Sequence, residues 1–398
     1  MRKYLIFVGI FSLLFSCART DSLVHYVDPM IGTDAHGHTF PGATTPNGMV
    51  QLSPSNDFKS WDWCSGYHYT DSIIKGFAHN HISGAGLSGL GDILIMPTMG
   101  IKSSYAGTDQ EVDDSYRSRF SHDAEQAYAG SYEVYLKDYQ INAALTASTR
   151  SGFHKYTFEQ EGEAVIVIDP THSLLEKAVE TSVEKVSDSE IRGFKKVNMG
   201  ENRYRHMYFS AKFSIPFKEI VLTDNDNRID ATSNTSVRTK GLVTFDVEKG
   251  DEIEIVVTLS PVGYQGVEKN YEADKDKNFA DALGLAKKSW NDILNKIVLS
   301  EDTPDADKRT FYTAMYHASI SPNVISDLDG NYVLEGKKLH SQFEQYSNYS
   351  TWDTYRALHP LMTIINQEKT ARIVNSLISR DSEANAGQPV WELSAASL

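Results

Sequence analysis

Cysteine is almost missing from this 398-residue chain, which has only Cys17 and Cys64. Cleavage before Cys17 would leave Cys64 as the single thiol available for pairing, which excludes an intramolecular disulfide. The fold is therefore expected to rest on a buried core, for which the length is ample. Cys64 itself reads as a buried structural residue, the commoner case, rather than as a nucleophile. Basic charge is also in short supply. The net charge is −15, with the acidic residues scattered along the chain. Such a field repels phosphate backbones and predicts no nucleic-acid partner, yet it leaves neutral ligands such as sugars unaffected. Beyond the N-terminus no run is long and apolar enough to span a bilayer. Internal repeats and low-complexity segments are absent as well.

The N-terminus, "MRKYLIFVGIFSLLFSCART", has the anatomy of a secretory signal over residues 1–16. Arg2 and Lys3 form its positive end, and Tyr4 to Phe15 form an apolar run too short to span a membrane. The run ends in "LFSC", a lipobox-like pattern, so Cys17 is the expected lipidation site and residues 17–23 a linker. Membrane attachment would then run through the lipid. A plain secretory signal with an incidental cysteine is the alternative.

Residues 24–270 carry short alternating or apolar runs separated by turn residues. In "SYEVYLKDY", Tyr132, Val134 and Leu136 alternate with polar neighbours. "EAVIVIDP" is a buried strand stopped by Pro170, and Met207, Phe209, Ala211 and Phe213 alternate in "HMYFSAKFSIPF". Strands this frequent, without crossover helices, predict an antiparallel β-sandwich. The period changes near residue 272. Phe279, Leu283, Ala286, Trp290, Ile293, Leu294 and Ile297 recur at helical spacing, predicting one linker helix of about seven turns within 271–300. Residues 301–398 then read as helices: one after Pro304 with Phe311, Met315 and Ala318 on a face, a small hairpin between 325 and 350, and two more with a break near Gln367.

Four stretches carry candidate chemistry. "HNHISGAGLSGLGDILIMP" (residues 79–97) contains G-x-G-x-x-G at Gly84, Gly86 and Gly89. A dinucleotide fingerprint requires a strand before it, a helix after it and an acid about 20 residues on. Here a polar segment precedes and a strand follows, so no dinucleotide is expected. The glycines instead describe backbone passing close to a ligand or neighbouring chain. His79 and His81, with His36 and His38, have chelating i, i+2 spacing, but a metal site needs a third ligand and supporting partners, so polar loop histidines binding hydroxyls or one another are the expected reading. "SWDWCSGYHYTD" gathers Trp61, Trp63, Tyr67, His68 and Tyr69, rings suited to stacking on sugars or to one aromatic core cluster. In "STWDTYRALHPL", Trp352 and Asp353 start a helix. Asp353 either pairs with Arg356 at i+3 or projects into a pocket to accept sugar hydroxyls.

Placed side by side, "YVDPMIGTDAHGHTFPGATTPNGMVQLSP", "WCSGYHYTDSIIKGFAHNHISGAGLSGLGDILIMP", "FYTAMYHASISPN" and "YSTWDTYRALHPLMTIIN" resemble the family 92 glycoside hydrolases. These are secreted or lipid-anchored α-mannosidases of Bacteroidetes. The resemblance implies a mixed fold: an N-terminal β-sandwich, linker helices, and the first helices of an (α/α)6 barrel from residue 301. It also implies a calcium-dependent, inverting exo-α-mannosidase acting on mannose-containing N-glycans or mannans, in the periplasm or on the surface of a Gram-negative outer membrane. Inversion needs an acid and a base far enough apart to admit a water. The family's acid, base and most calcium ligands lie in the barrel's later part and find no match here. The expectation is thus an incomplete barrel and a chain inactive alone. The substrate-facing residues carried over are Trp63, Cys64, Tyr67, His68, His79, Asn80, Gly84, Trp352, Asp353 and Arg356, with no catalytic residue assigned. A lipid-anchored glycan-binding protein without catalysis is the alternative reading.

Overall fold

Period-2 alternation becomes two antiparallel sheets packed face to face, as a half-buried strand requires. The structure is a computed structural model and describes residues 22–101, 103–200, 203–384, 387–393 and 396–397. The signal segment and the Cys17 lipidation site therefore lie outside the described residues. One sheet has eight strands in the order Ala43–Thr44, Gln51–Ser55, Gly76–Ala78, Leu94–Met99, Gly162–Asp169, Thr239–Val247, Glu219–Asp224 and Asn227–Ile229. The other has nine: Ser233–Ser236, Ala178–Lys185, Glu190–Asn198, Tyr204–Phe213, Glu252–Ser260, Ser151–Phe158, Ile141–Ala147, Ser131–Leu136 and Glu125–Tyr128. Leu52, Phe77, Ile95, Ile166 and Leu242 from the first sheet meet Tyr132, Leu145, Tyr156, Phe209 and Val257 from the second in one buried core. The expected alternation holds: Met207, Phe209, Ala211 and Phe213 all face that core.

The expected seven-turn helix is shorter, and a separate helix precedes it inside the range expected to be sandwich. Helix α1 spans Tyr264–Tyr271 and helix α2 spans Phe279–Leu294. Asn278 caps α2 by accepting from the Asp281 backbone N–H, while the Asp281 carboxylate accepts from the Asn278 N–H. This reciprocal box fixes the helix start at residue 279, so the charged run from Glu272 is a connection. Helix α3, Asp305–Ala318, starts directly after Pro304. Its buried face is rotated from expectation, with Tyr312, Met315 and Tyr316 inside. Trp290 of α2 packs at a tilt against Tyr316 at 4.4 Å and donates its indole N–H to the Thr44 carbonyl at 2.6 Å, tying helices to sandwich.

Beyond α3, strands Asn331–Leu334 and Lys337–His340 form the expected hairpin. Helices α4 (Thr351–Thr354), α5 (Leu358–Ile365) and α6 (Gln367–Ala384) follow. The helix read from Trp352 onward is thus broken at Tyr355–Ala357, ahead of Pro360. Among the described residues the C-terminal region holds six helices, and none is long and apolar enough to cross a membrane.

Candidate functional site

The Gly-rich stretch is a loop between strands Gly76–Ala78 and Leu94–Met99 of one antiparallel sheet, with no helix after its glycines. That geometry lacks the strand-to-helix turn a pyrophosphate needs. His79 and His81 both lie beneath the loop, fully buried. His79 donates from Nδ1 to the Ile93 carbonyl at 2.5 Å, and its Nε2 faces His154 Nε2 at 3.0 Å. Tyr156 O–H sits 2.7 Å from His154 Nδ1. The chain then runs in one direction, Tyr156 to His154 to His79 to the Ile93 carbonyl, with every imidazole neutral. His81 donates from Nδ1 to the Gln51 carbonyl at 2.9 Å, and its Nε2 faces the Ser55 hydroxyl at 3.3 Å. Burial pushes both His79 and His81 down to about 4. With all four ring nitrogens engaged, these residues have nothing left for a metal or a sugar. Their role is to carry the loop from below.

Asn80 is likewise structural. Its amide donates to Asp92 at 2.7 Å and its carbonyl accepts the Asp92 N–H at 2.6 Å. Asp92 also meets Lys195 at 2.7 Å and pairs with Arg205, and all three side chains are buried. Burial opposes ionisation of Asp92, but Arg205 and Lys195 outweigh it and hold the carboxyl well below its usual range. Arg205 continues to Glu176, which accepts the Leu90 N–H at 3.4 Å. This network clamps a backbone in which Leu90 (φ 69°) and Ile93 (φ 53°) sit in the left-handed region, disfavoured for branched side chains.

Above the clamp the loop is open. Gly84, at φ +71° with space around it, donates its N–H to the His38 carbonyl at 2.7 Å. Trp61 lies against the loop and donates its indole N–H to the Gly86 carbonyl at 2.9 Å while remaining 55% exposed. A Cβ on Gly86 would come within 2.7 Å of that indole, so only glycine allows the contact. His38 meets the Trp61 ring edge-on at 4.1 Å. Its Nε2 is buried, without a hydrogen-bond partner, and 3.9 Å from Asp62. Burial lowers the His38 pKa against the pull of Asp62, so the ring is neutral near pH 7. Asp62 also bonds His36 at 2.5 Å. An exposed indole, backed by the buried imidazole of His38, and the Asp62 carboxylate thus stand on a glycine-lined surface, the chemistry that stacks a sugar ring and bonds its hydroxyls.

The other carried-over residues divide. Trp63 is turned away: its N–H donates to Asp71 at 2.7 Å and its ring stacks on His68 at 4.2 Å. Cys64 is buried, which pushes its thiol pKa up, and His68 is buried with Nδ1 beside the Thr70 hydroxyl at 2.8 Å. Tyr67 is buried too, its hydroxyl donated to Glu125 at 2.9 Å. Trp352 is 58% exposed, beside Trp391 at 6.3 Å. Asp353 accepts through Oδ2 from the Ser350 hydroxyl at 2.5 Å and the Trp391 N–H at 3.4 Å. Arg356 does not pair with Asp353; its guanidinium lies 5.5 Å from the Tyr355 ring. Glu392 joins the Tyr349 carbonyl at 3.0 Å, and Leu393 comes within 2.7 Å of a Cβ placed on Gly89. The Trp352–Trp391 patch and the Trp61 patch therefore flank one contact between the loop and the C-terminal strand. Among the described residues no three His, Cys, Asp or Glu side chains converge as a metal site.

Sequence reasoning put Trp63 in the site and left Trp61 out, because two tryptophans two apart look alike until a partner is visible. Lys195 was missed, although it shares the inward register of Ile191 and Val197, the signal that could have marked a buried cation awaiting a carboxylate.

Comparison with known proteins agrees with this architecture. The glycosyl hydrolase family 92 N-terminal domain model matches residues 26–260, and the family's catalytic domain model matches residues 266–397. A family GH92 α-mannosidase from Bacteroides thetaiotaomicron is 32% identical and superposes with a TM-score of 0.90, covering 95% of this chain and 52% of its own. A family GH92 inverting mannosidase from the same organism is 25% identical with a TM-score of 0.82, covering 96% of this chain and 51% of its own. An uncharacterized secreted glycosidase of Arthroderma benhamiae is 22% identical over 372 residues, covering 84% of this chain and 45% of its own. The chain thus spans about half the length of the proteins it matches.

Proposed function

The chain belongs to glycosyl hydrolase family 92, and from that premise we propose that it forms the sugar-facing wall of an exo-acting, inverting α-mannosidase. Trp61 carries the reading: a half-exposed indole pinned by its N–H to a glycine carbonyl, with the partly exposed Asp62 carboxylate nearby. In this account the indole stacks against the C–H face of a mannose ring. Asp62 bonds its hydroxyls, and Asp353 uses Oδ1, the oxygen not engaged by Ser350 and Trp391, to accept another. Substrates would be the non-reducing ends of mannose-containing N-glycans or mannans. One relative was solved with mannoimidazole, which supports a mannose-shaped site in the family.

The proposal includes calcium for the whole enzyme, holding sugar hydroxyls in a distorted ring. The described residues do not themselves fit that ion, since no three acidic or imidazole side chains converge, and no step is derived through it. Acid and base are assigned to the later barrel, so the 398-residue chain alone would bind mannosides without hydrolysing them. Secretion is proposed on the leader, with lipid attachment at Cys17 to the outer membrane. The test is calorimetric titration with α-mannobiose. Millimolar or tighter binding, weakened about ten-fold by Trp61→Ala and unchanged by Trp63→Phe, supports the assignment. Equal affinity in Trp61→Ala overturns it.

A further inference from the structure

A groove lined by other residues runs between the first turns of α3, the loop after Asp28 and the edge strand Glu125–Tyr128. It consists of two cavities of about 610 Å³ and 410 Å³ that share Asp28 and Arg309, an ion pair at their junction. Tyr26 and Tyr128 stand in the larger cavity, Tyr69 and His122 in the smaller. None of the residues lining either cavity belongs to the Trp61 or Trp352 patches.

The smaller cavity is built around a buried carboxylate. Glu125 accepts from the Tyr67 hydroxyl at 2.9 Å, the Tyr132 hydroxyl at 2.5 Å and His122 Nδ1 at 2.7 Å. Burying a carboxylate is costly unless such donors surround it. The result is an imidazole held in one orientation, with Nε2 as its remaining polar atom. Tyr69 stacks on that imidazole at 4.0 Å and 14° and stays 39% exposed, giving a rigid aromatic platform at the cavity wall. At the other end Tyr128 is 44% exposed, its hydroxyl donated to Gln126 on its own strand at 3.1 Å. Two aromatic faces therefore stand along one groove, separated by the Asp28–Arg309 pair.

Charge narrows the class of ligand. Asp28, Asp34, Glu125 and Asp305 line the groove against one cation, Arg309, four negative charges to one positive. That balance repels phosphates, nucleic acids and uronic acids. Asp28 is engaged by Arg309 and Glu125 by three donors; Asp34 accepts the Ala35 N–H at 2.7 Å and Asp305 the Tyr26 hydroxyl at 3.5 Å, both through Oδ1, which leaves their second carboxylate oxygens for hydroxyl donors. Spaced aromatic platforms with hydroxyl acceptors between them suit several sugar units in a row.

We propose that this groove is a second glycan-binding site, taking a neutral oligosaccharide chain away from the Trp61 wall. Only the choice of an α-linked mannan as probe rests on the family reading. A second site for the polymer would hold the chain near it while the first receives a terminus, raising effective concentration.

The test is affinity electrophoresis of the whole 398-residue chain through gels containing α-mannan. The starting background is Trp61→Ala with Trp352→Ala, which removes the first wall. Retardation should persist in that background, and adding Tyr69→Ala or Tyr128→Ala should weaken it about five-fold each. Tyr128 lies on an exposed edge, so this variant reads the groove even if Tyr69→Ala fails to fold. Retardation lost already in the background, or untouched by both tyrosine changes, overturns the proposal. So does retention on oligolysine with none on mannan, which would make the groove a cationic-peptide site. Failure of the mannosidase reading leaves Trp61→Ala silent, whereas failure of this inference leaves Tyr69→Ala and Tyr128→Ala silent.

Discussion

Trp61 and Trp63 are two positions apart on one short turn, and their partners alone separate them. Trp61 keeps an open face because its N–H is held by the loop, whereas Trp63 is covered by His68 and anchored to Asp71. No pattern in "WDW" carries that information, since the Trp61 partner Gly86 comes from a loop 25 residues on, and nothing in the tripeptide says that His68 and Asp71 fold back onto Trp63 rather than Trp61. Gly86→Ala tests the arrangement at its tightest point. Its Cβ would strike the indole at 2.7 Å, so mannobiose affinity should fall roughly as far as in Trp61→Ala, about ten-fold. Gly84→Ala meets open space but a left-handed φ, and should cost about 1 kcal/mol of stability with affinity nearly unchanged, by thermal denaturation and calorimetry. Asp92→Asn leaves Lys195 buried without its anion and Arg205 with Glu176 alone. We expect a loss of about 3–5 kcal/mol in a denaturant titration, the cost of breaking a buried pair from one side.

At the scale of elements, the sandwich was legible and the loops were not. Strands such as Ser131–Leu136 and Tyr204–Phe213 repeat their apolar residues every second position, and one buried face admits only one register. The helix boundaries escaped because the charged run from Glu272 reads as a solvated first turn ahead of the Asn278 cap, and the apolar stripe continues past the end of α2 to Ile297. The loop from His79 to Ile93 was recognised as a loop, but its histidines were placed on the wrong side, since polarity says nothing about which residues a second sheet covers. Their burial has a measurable consequence. His79 and His81 titrate near 4 when folded and near 6.5 when unfolded. The unfolded state therefore takes up protons first as pH falls. Stability is fully present above pH 6.5 and declines between pH 6.5 and 4, by on the order of 3 kcal/mol per histidine. Denaturant midpoints measured at pH 7.5, 5.5 and 4.5 should fall steadily. A flat profile would mean that these rings are solvated or already charged.

At the scale of the molecule, the helices are extensions of the sandwich rather than a separate body. Leu23, Val27 and Phe40 from the N-terminal segment form one buried cluster with Trp290, Leu294, Tyr312 and Tyr316 of α2 and α3. Trp290→Ala should cost about 3–5 kcal/mol and lower the whole melting transition together, without splitting it, as followed by circular dichroism. The Trp61 loop and the Trp352–Trp391 patch adjoin through the contact of Gly89 with Leu393. The family's sequence blocks made that architecture readable in advance, while the way each block folds against the next came only with the packing. Calorimetric titration of α-mannobiose into the chain, alongside its Trp61→Ala and Trp352→Ala variants, is the most direct test of the account. It predicts saturable binding weakened by both substitutions; no heat of binding, or binding indifferent to both tryptophans, would contradict it.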